Sequence, residues 1–474
     1  MKKVILICAL LIWSSAQAEP TLYLGFHLVD PLTRQETPDS WMLVAEGMIT
    51  AVGQGTPPPE VLSEHSTIDF KDMQGAWAMP GLIDSHAHVT LGVLAWKKTR
   101  GQLSFGVEYD RSITAQNAHG LLNYGVTTIR NPGGDTVINI AYERAVDTGE
   151  LVGPEAQSAG LVIDSASMDG LTVAPSTERP IELIVEEQAA AGVEWVKFYQ
   201  SLSADELKRG IVAADKHGVR SIVHTGPVSW TDAAEMGVDA IVHMMPTSPD
   251  LLSPKAREAY LLKARPGTFS FFEWFEFADL DGPEIQTMIA AMARHSVHLD
   301  ATLVVFEAAF WGDDTRINEN PFLSDVHPAM LETWRNTFRF DLGWEESDYQ
   351  RARAVWSKVL RLTRMMHEAG VPMSIGTDLG NPWVVPGRSV HQEMALHVQA
   401  GIAPWAVLQM ATTNAARALG VEDRIGRIAP GFEADVLFLA GNPSKDISHT
   451  LEIIDVLNNG HLVQRFEPKE VQNH

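Results

Sequence analysis

Apolar runs that end in polar residues recur along the middle of this chain, and that alternation constrains the fold more than any other feature. The runs cover residues 78–89, 127–130, 157–163, 195–199, 221–224, 240–244, 298–304 and 373–378, with helical patterns between them. Strands that alternate with helices build a parallel sheet. Eight such units are the number that closes a TIM (β/α)8 barrel, an α/β fold. The polar residues then fall at the carboxyl ends of the strands, the face where barrel active sites assemble. The flanking zones read differently. Residues 19–76 and 421–474 carry short strands and turn signals, with Glu46-Gly47 and Asn458-Asn459-Gly460 as hairpin turns. They are alike in kind and are expected to pair as one small β-sandwich domain built from both chain ends, beside a barrel domain at 77–420.

Residues 1–18 stand apart. Lys2 and Lys3 precede an apolar stretch from Val4 to Trp13, and Ala16-Gln17-Ala18 supplies small residues for cleavage. That order reads as a signal peptide cleaved near Ala18, with a periplasmic or secreted mature protein. The stretch is too short to span a bilayer. Cys8 is the single cysteine and leaves with the signal, so disulfides, cysteine–zinc sites and thiol nucleophiles are excluded from the mature chain. The net charge of −24 repels nucleic acid and anionic lipid, so neither nucleic acid nor a membrane is an expected partner.

Six strand-end residues carry the chemistry. His86 and His88 close the first run, and the two-residue period of a strand turns both imidazoles to one face, half of a metal site. An edge strand with two surface histidines would look the same. Lys197 ends the fourth run on the face of Trp195 and Tyr199; it must be neutralised, paired or modified there unless it snorkels to solvent. His224 and His243 follow the fifth and sixth runs, and either alone reads as a core histidine. Spacing changes that reading: Lys197 to His224 is 27 residues and His224 to His243 is 19, each about one βα unit. Asp378 ends the eighth run, where a carboxylate can hold a metal and accept a proton. Asn381 and Pro382 follow it, so a helix does not start at once and the capping role is weakened. Together these residues, on five strands, are poorly explained by packing.

With their surroundings they resemble the amidohydrolase superfamily, nearest its imidazolonepropionase-like and dinuclear prolidase-like branch. Met79-Pro80-Gly81-Leu82-Ile83-Asp84-Ser85-His86-Ala87-His88 is similar to the family's first-strand motif, and Gly125-Val126-Thr127-Thr128-Ile129-Arg130 to its second. Gly426-Arg427-Ile428-Ala429-Pro430-Gly431-Phe432-Glu433-Ala434-Asp435 is similar to the segment where the family's small β domain resumes. The resemblance implies that His86, His88 and Asp378 hold one divalent ion and His224 and His243 a second. A carboxylated Lys197 would bridge them, with zinc the first choice of metal. The implied reaction is attack of metal-activated hydroxide on an amide or peptide carbonyl, with Asp378 passing the proton to the leaving nitrogen. The implied substrate is a small amide: a dipeptide cleaved as a prolidase would, or an N-acyl amino acid. No further cofactor is implied.

Some features depart from the family or stay open. Asn131 stands where relatives often carry aspartate, while Arg130 and Tyr199 are expected to support the site or touch substrate. His391 lies where relatives often carry histidine and reads equally as a support or as an exposed helix residue. The 135 residues from His243 to Asp378 exceed the need of two βα units. Their aromatic stretch 269–277 reads as a lid, a subunit contact or ordinary packing. Rival readings are a mononuclear cyclic-amide hydrolase or deaminase, and a non-catalytic exported barrel that binds a ligand. Homo-oligomerisation is left open.

Overall fold

The computed structural model describes residues 19–63, 65–99 and 102–465; the signal-like segment 1–18, with Cys8, lies outside them. Eight strands form the barrel: β1 Leu82–Asp84, β2 Val126–Asn131, β3 Glu155–Ser158, β4 Trp195–Phe198, β5 Arg220–Val223, β6 Ala240–Val242, β7 His298–Asp300 and β8 Met373–Ser374. Neighbours pair in parallel from β1 through β3 and from β4 through β8. Glu194 N–H donates to Ser158 O at 3.2 Å and joins β3 to β4. The ring closes where β8 meets β1: Ser85 N–H donates to Ile375 O at 2.8 Å and Asp378 N–H to His86 O at 2.7 Å. The fold is therefore a TIM barrel. Strands β4 and β6 are buried along their whole length, which is why they read as unbroken apolar runs rather than alternating ones.

Local chemistry sets the helices between the strands. After β4, Ser203 and Glu206 form a reciprocal capping box at the start of helix Ala204–His217, and Gly218 ends it with φ 68°. Such a box satisfies two otherwise orphaned donors, and glycine takes the left-handed turn without a Cβ penalty.

The two chain ends supply one mixed sheet of eight strands. Strand Val436–Leu439 pairs antiparallel with Trp77–Pro80, which pairs in parallel with His27 and Leu28. The sheet curls so that Phe438 stacks on Tyr23 at 5.3 Å and meets Phe26 edge-on at 5.7 Å. Each such aromatic contact adds about 1 kcal/mol beyond its buried area.

Three of the runs divide differently from the sequence expectation; run 157–163 splits into β3, ending at Ser158, and Val162–Ile163, which pairs with β4. Run 78–89 splits at Gly81: Trp77–Pro80 joins the chain-end sheet and only Leu82–Asp84 enters the barrel. Gly81 is required at the crossing, since a Cβ there would lie 2.2 Å from Thr127 Oγ1. Run 298–304 leaves the sheet after Asp300. Thr302 takes φ 47°, and Leu303–Phe310 is a helix buried on nearly every side. An antiparallel hairpin, Val93–Thr99 with Gln102–Glu108, rises beyond β1 and was not foreseen.

Candidate active site

His86, His88, Lys197, His224, His243 and Asp378 converge at the carboxyl end of the barrel. The His86 ring centre lies 5.5 Å from that of His88 and 4.9 Å from that of His243, and the His224 ring is 4.6 Å from His243. Asp378 Oδ1 is 3.4 Å from His86 Nε2 and 3.5 Å from His88 Nε2, while Oδ2 is 3.8 Å from His243 Nδ1. These gaps are long for hydrogen bonds. They approach the roughly 3.3 Å that separates ligand atoms each about 2 Å from a shared tetrahedral ion. His86, His243 and Asp378 form the tightest set, each offering a ligand atom within 4.8 Å of the others.

The backbone is strained to make this geometry. His243 and Asp378 take φ 70° and 63°, left-handed values that cost a residue with a Cβ about 1–2 kcal/mol each. Hydrogen bonds hold both in place: His243 N–H donates to Asp300 O at 2.8 Å and Asp378 N–H to His86 O at 2.7 Å. Gly376 lets β8 run this close to β1, since a Cβ on it would meet His86 Cβ at 2.8 Å.

The ring nitrogens fit a cation site. His88 Nδ1 donates to Gly133 O at 2.7 Å, which fixes the tautomer and leaves Nε2 as a lone pair towards Asp378. Both nitrogens of His86 and Nδ1 of His224 are buried with no hydrogen-bond partner among the described residues. Burial, followed by the charge of Lys197, lowers the pKa of His86, and lowers that of His224 to about 3. Neutral imidazole is the form that ligates. Lys197 is 2% exposed, and no ion pair involves it among the described residues. Burial pulls its amine down to about 7. Tyr199 stands edge-on to His224 at 4.8 Å, in the barrel mouth.

A second layer of charge underlies the first. Arg130 is fully buried and ion-paired with Asp300; it also donates from Nε to Ser85 O at 2.8 Å and stacks over Trp195 at 4.5 Å. Asp300 accepts Ser374 Oγ–H at 2.5 Å and lies 3.9 Å from His86 Nδ1. Burial opposes its charge, but Arg130 and His86 hold its pKa at about 2. Asp84 accepts from His86 N–H at 3.1 Å, Thr377 N–H at 3.0 Å and Thr377 Oγ–H at 2.6 Å, and so ties together the two strands that carry His86 and Asp378. Asp84 and Asp300 are absent from the sequence-derived set. Asp84 was visible as the residue two before His86 on the same strand face; Asp300 was hidden inside a run read through to residue 304.

Other expectations fall elsewhere. His391 is neither at the site nor exposed. It is buried against the chain-end segment, with Nδ1 2.9 Å from Thr450 Oγ1 and Nε2 2.9 Å from Tyr124 O. Asn131 donates to Thr90 Oγ1 at 3.2 Å, and Thr90 donates to Asn139, so a neutral network occupies the position where relatives often place aspartate.

The sequence matches the family described as "Amidohydrolase family" over residues 77–463. The chain belongs to the amidohydrolase family. It is thus a hydrolase of carbon–nitrogen bonds, in a family that generally uses divalent metals. An imidazolonepropionase from Deinococcus deserti is 23% identical over 448 residues, covering 89% of this chain and 90% of the relative. A Xaa-Pro dipeptidase with methionine bound in its active site superposes with a TM-score of 0.65 at 20% identity, covering 94% of this chain and 99% of that one. A bottromycin amidohydrolase gives 0.69 at 21%, covering 94% and 87%. These two structural likenesses share the barrel fold.

Above the six residues the amidohydrolase encloses a cavity of about 450 Å³. Phe271, Phe306, Phe338 and Phe340, all from the long segment between His243 and Asp378, form one wall. Phe271 meets Phe306 at 5.2 Å and Phe340 at 5.9 Å, while Phe272, Trp274 and Phe275 of the same helix are buried. The aromatic stretch therefore packs, as one of its expected roles had it, and Phe271 of it lines the cavity.

Proposed function

We propose that this amidohydrolase cleaves the C–N bond of a small amide at a centre of two divalent ions. His86, His88 and Asp378 hold one ion, His224 and His243 the other, and carboxylated Lys197 joins them. Zinc is the first choice for a set of nitrogen and oxygen donors without thiolate. The observation that carries this reading is the convergence of six ligand-type side chains from five strands, with buried imidazole nitrogens that have no hydrogen-bond partner among the described residues. The metals supply Lewis acidity and acidify bound water.

The chain's own residues do the rest. Lys197 Nζ is buried and makes no ion pair among the described residues, a setting in which its neutral amine bonds to carbon dioxide and releases a proton, giving an anionic carbamate. Asp378 takes the proton of the attacking water on a carboxylate oxygen and returns it to the leaving nitrogen. Asp84 and the Arg130–Asp300 pair orient His86 and Asp378 from below. Likeness to the Xaa-Pro dipeptidase brings dipeptides forward as substrates, and N-acyl amino acids share the scissile group. Residues 1–18 make export part of the proposal, and a mature N-terminus at Glu19 in the periplasmic or secreted fraction is its expected sign.

A one-metal reading draws on the tight set His86, His243 and Asp378 and on the imidazolonepropionase relative. Elemental analysis of the purified protein and of Lys197→Ala separates the two. Near two ions per chain, falling in the variant, supports the bridged centre. One ion unchanged by the substitution favours the mononuclear cyclic-amide hydrolase. No metal under replete conditions overturns both.

A further inference from the structure

The cavity over the metal-ligand set is chemically one-sided. Its walls are mostly aliphatic and aromatic: Leu91 and Leu94 from the segment and hairpin beyond β1, Met168 and Leu171 from the loop after β3, and the phenylalanines opposite, with a few neutral polar side chains between them. Outside the six site residues, Asp164 is the single formal charge among the residues that line it. Among the described residues no arginine lines it, and Lys197 is its only lysine. Arg130 lies in the buried layer beneath the site and is committed to Asp300.

Asp164 is held at the wall of this space by two backbone donors. It is 8% exposed, and its Oδ1 accepts Ser165 N–H at 2.9 Å and Ser201 N–H at 3.1 Å. Among the described residues no cation pairs with it and no hydrogen bond reaches Oδ2. A nine-tenths-buried carboxylate with an oxygen left open to a largely apolar cavity can take a donor from a bound molecule. The whole protein carries −24, so anionic substrates are repelled on approach and cations attracted.

We infer that the substrate is an amide bearing an ammonium group beside an apolar or aromatic side chain, with no free carboxylate, and that Asp164 is the ammonium's counter-charge. The inference rests on the amide-hydrolase reading and narrows its substrate class. Aminoacyl amides fit best. Free dipeptides fit less well because their carboxylate meets no cation, and N-acyl amino acids, which lack the ammonium and keep the carboxylate, fit worst.

Four matched amides test it with the metal-loaded full chain: phenylalanyl-pyrrolidide, phenylalanyl-proline, 3-phenylpropionyl-pyrrolidide and 3-phenylpropionyl-proline. They differ only in ammonium and carboxylate. The ammonium is expected to raise kcat/KM at least tenfold, mainly through KM, and the carboxylate to lower it. Asp164→Asn keeps the acceptor for Ser165 and Ser201 while removing the charge, and should collapse the ammonium ratio towards one. A tenfold gain from the carboxylate, or an ammonium ratio unchanged in the variant, overturns the inference. Should none of the four be cleaved, the reading of a linear-amide substrate is what fails. Calorimetric binding of phenethylamine against 3-phenylpropionate to metal-free protein then decides the inference alone. Tighter amine binding that is lost in Asp164→Asn supports it, and equal or reversed affinities refute it.

Discussion

The floor and the walls of the cavity are built by opposite rules. On the floor, six ionisable side chains sit at strand ends, two on left-handed backbone, each held by hydrogen bonds that run into the barrel. The walls are mostly apolar side chains on a hairpin, loops and helices outside the barrel strands. Under the proposed mechanism, displacing a floor residue removes a ligand or a proton carrier, whereas displacing a wall residue only changes what shape of molecule fits. Reaction type and substrate preference are therefore separable here, and they reside in different parts of the chain.

Asp378→Asn is the sharpest way to break that comparison. It keeps the shape but removes the proton acceptor and one anionic ligand. We expect kcat/KM to fall by about 10³-fold, in the range of positioned acid–base groups, read by steady-state kinetics together with metal content. A fall of less than tenfold would show that the floor is not where the chemistry lies.

A buried histidine outside the floor gives the intermediate effect. His397 is fully buried in helix Arg388–Gln399, and burial lowers its pKa to about 4. A histidine whose folded pKa is depressed stabilises the fold above its unfolded value near 6.5 and loses that contribution as pH falls towards 4. Between pH 6.5 and 5 the loss is about 2 kcal/mol. Chemical denaturation across that range should show His397→Leu losing less stability than the parent. Bound metal should protect the floor histidines from acid but leave this difference intact. An identical pH dependence in the two proteins would refute the assignment.

The smallest change is expected at the wall. Phe271→Ala removes one ring from the aromatic face, and KM for an apolar amide should rise about tenfold, the cost of one lost apolar contact, while kcat stays within about twofold. A matching loss in kcat would mean that wall and floor are coupled.

The sequence reaches the floor and stops short of the walls. His86 and His88, Lys197, His224, His243 and Asp378 were legible because each ends a strand, and strand ends in a barrel share one face. Asp84 was legible by the same period and passed over. Asp300 was not, because an apolar stretch such as residues 301–304 has no periodicity that separates a buried strand from a buried helix. The division at Gly81 depends on Thr127, a residue in another strand, so no local pattern contains it. Likewise nothing in the segment around Asp164 or Phe271 says that the two line one space, since loop residues meet only after the barrel has closed and packing has chosen their rotamers. The pattern of strands and helices thus determined the fold and brought the six strand-end residues to one face. Only the tertiary structure decided which charge faces the substrate, because that depends on contacts between segments far apart in the chain.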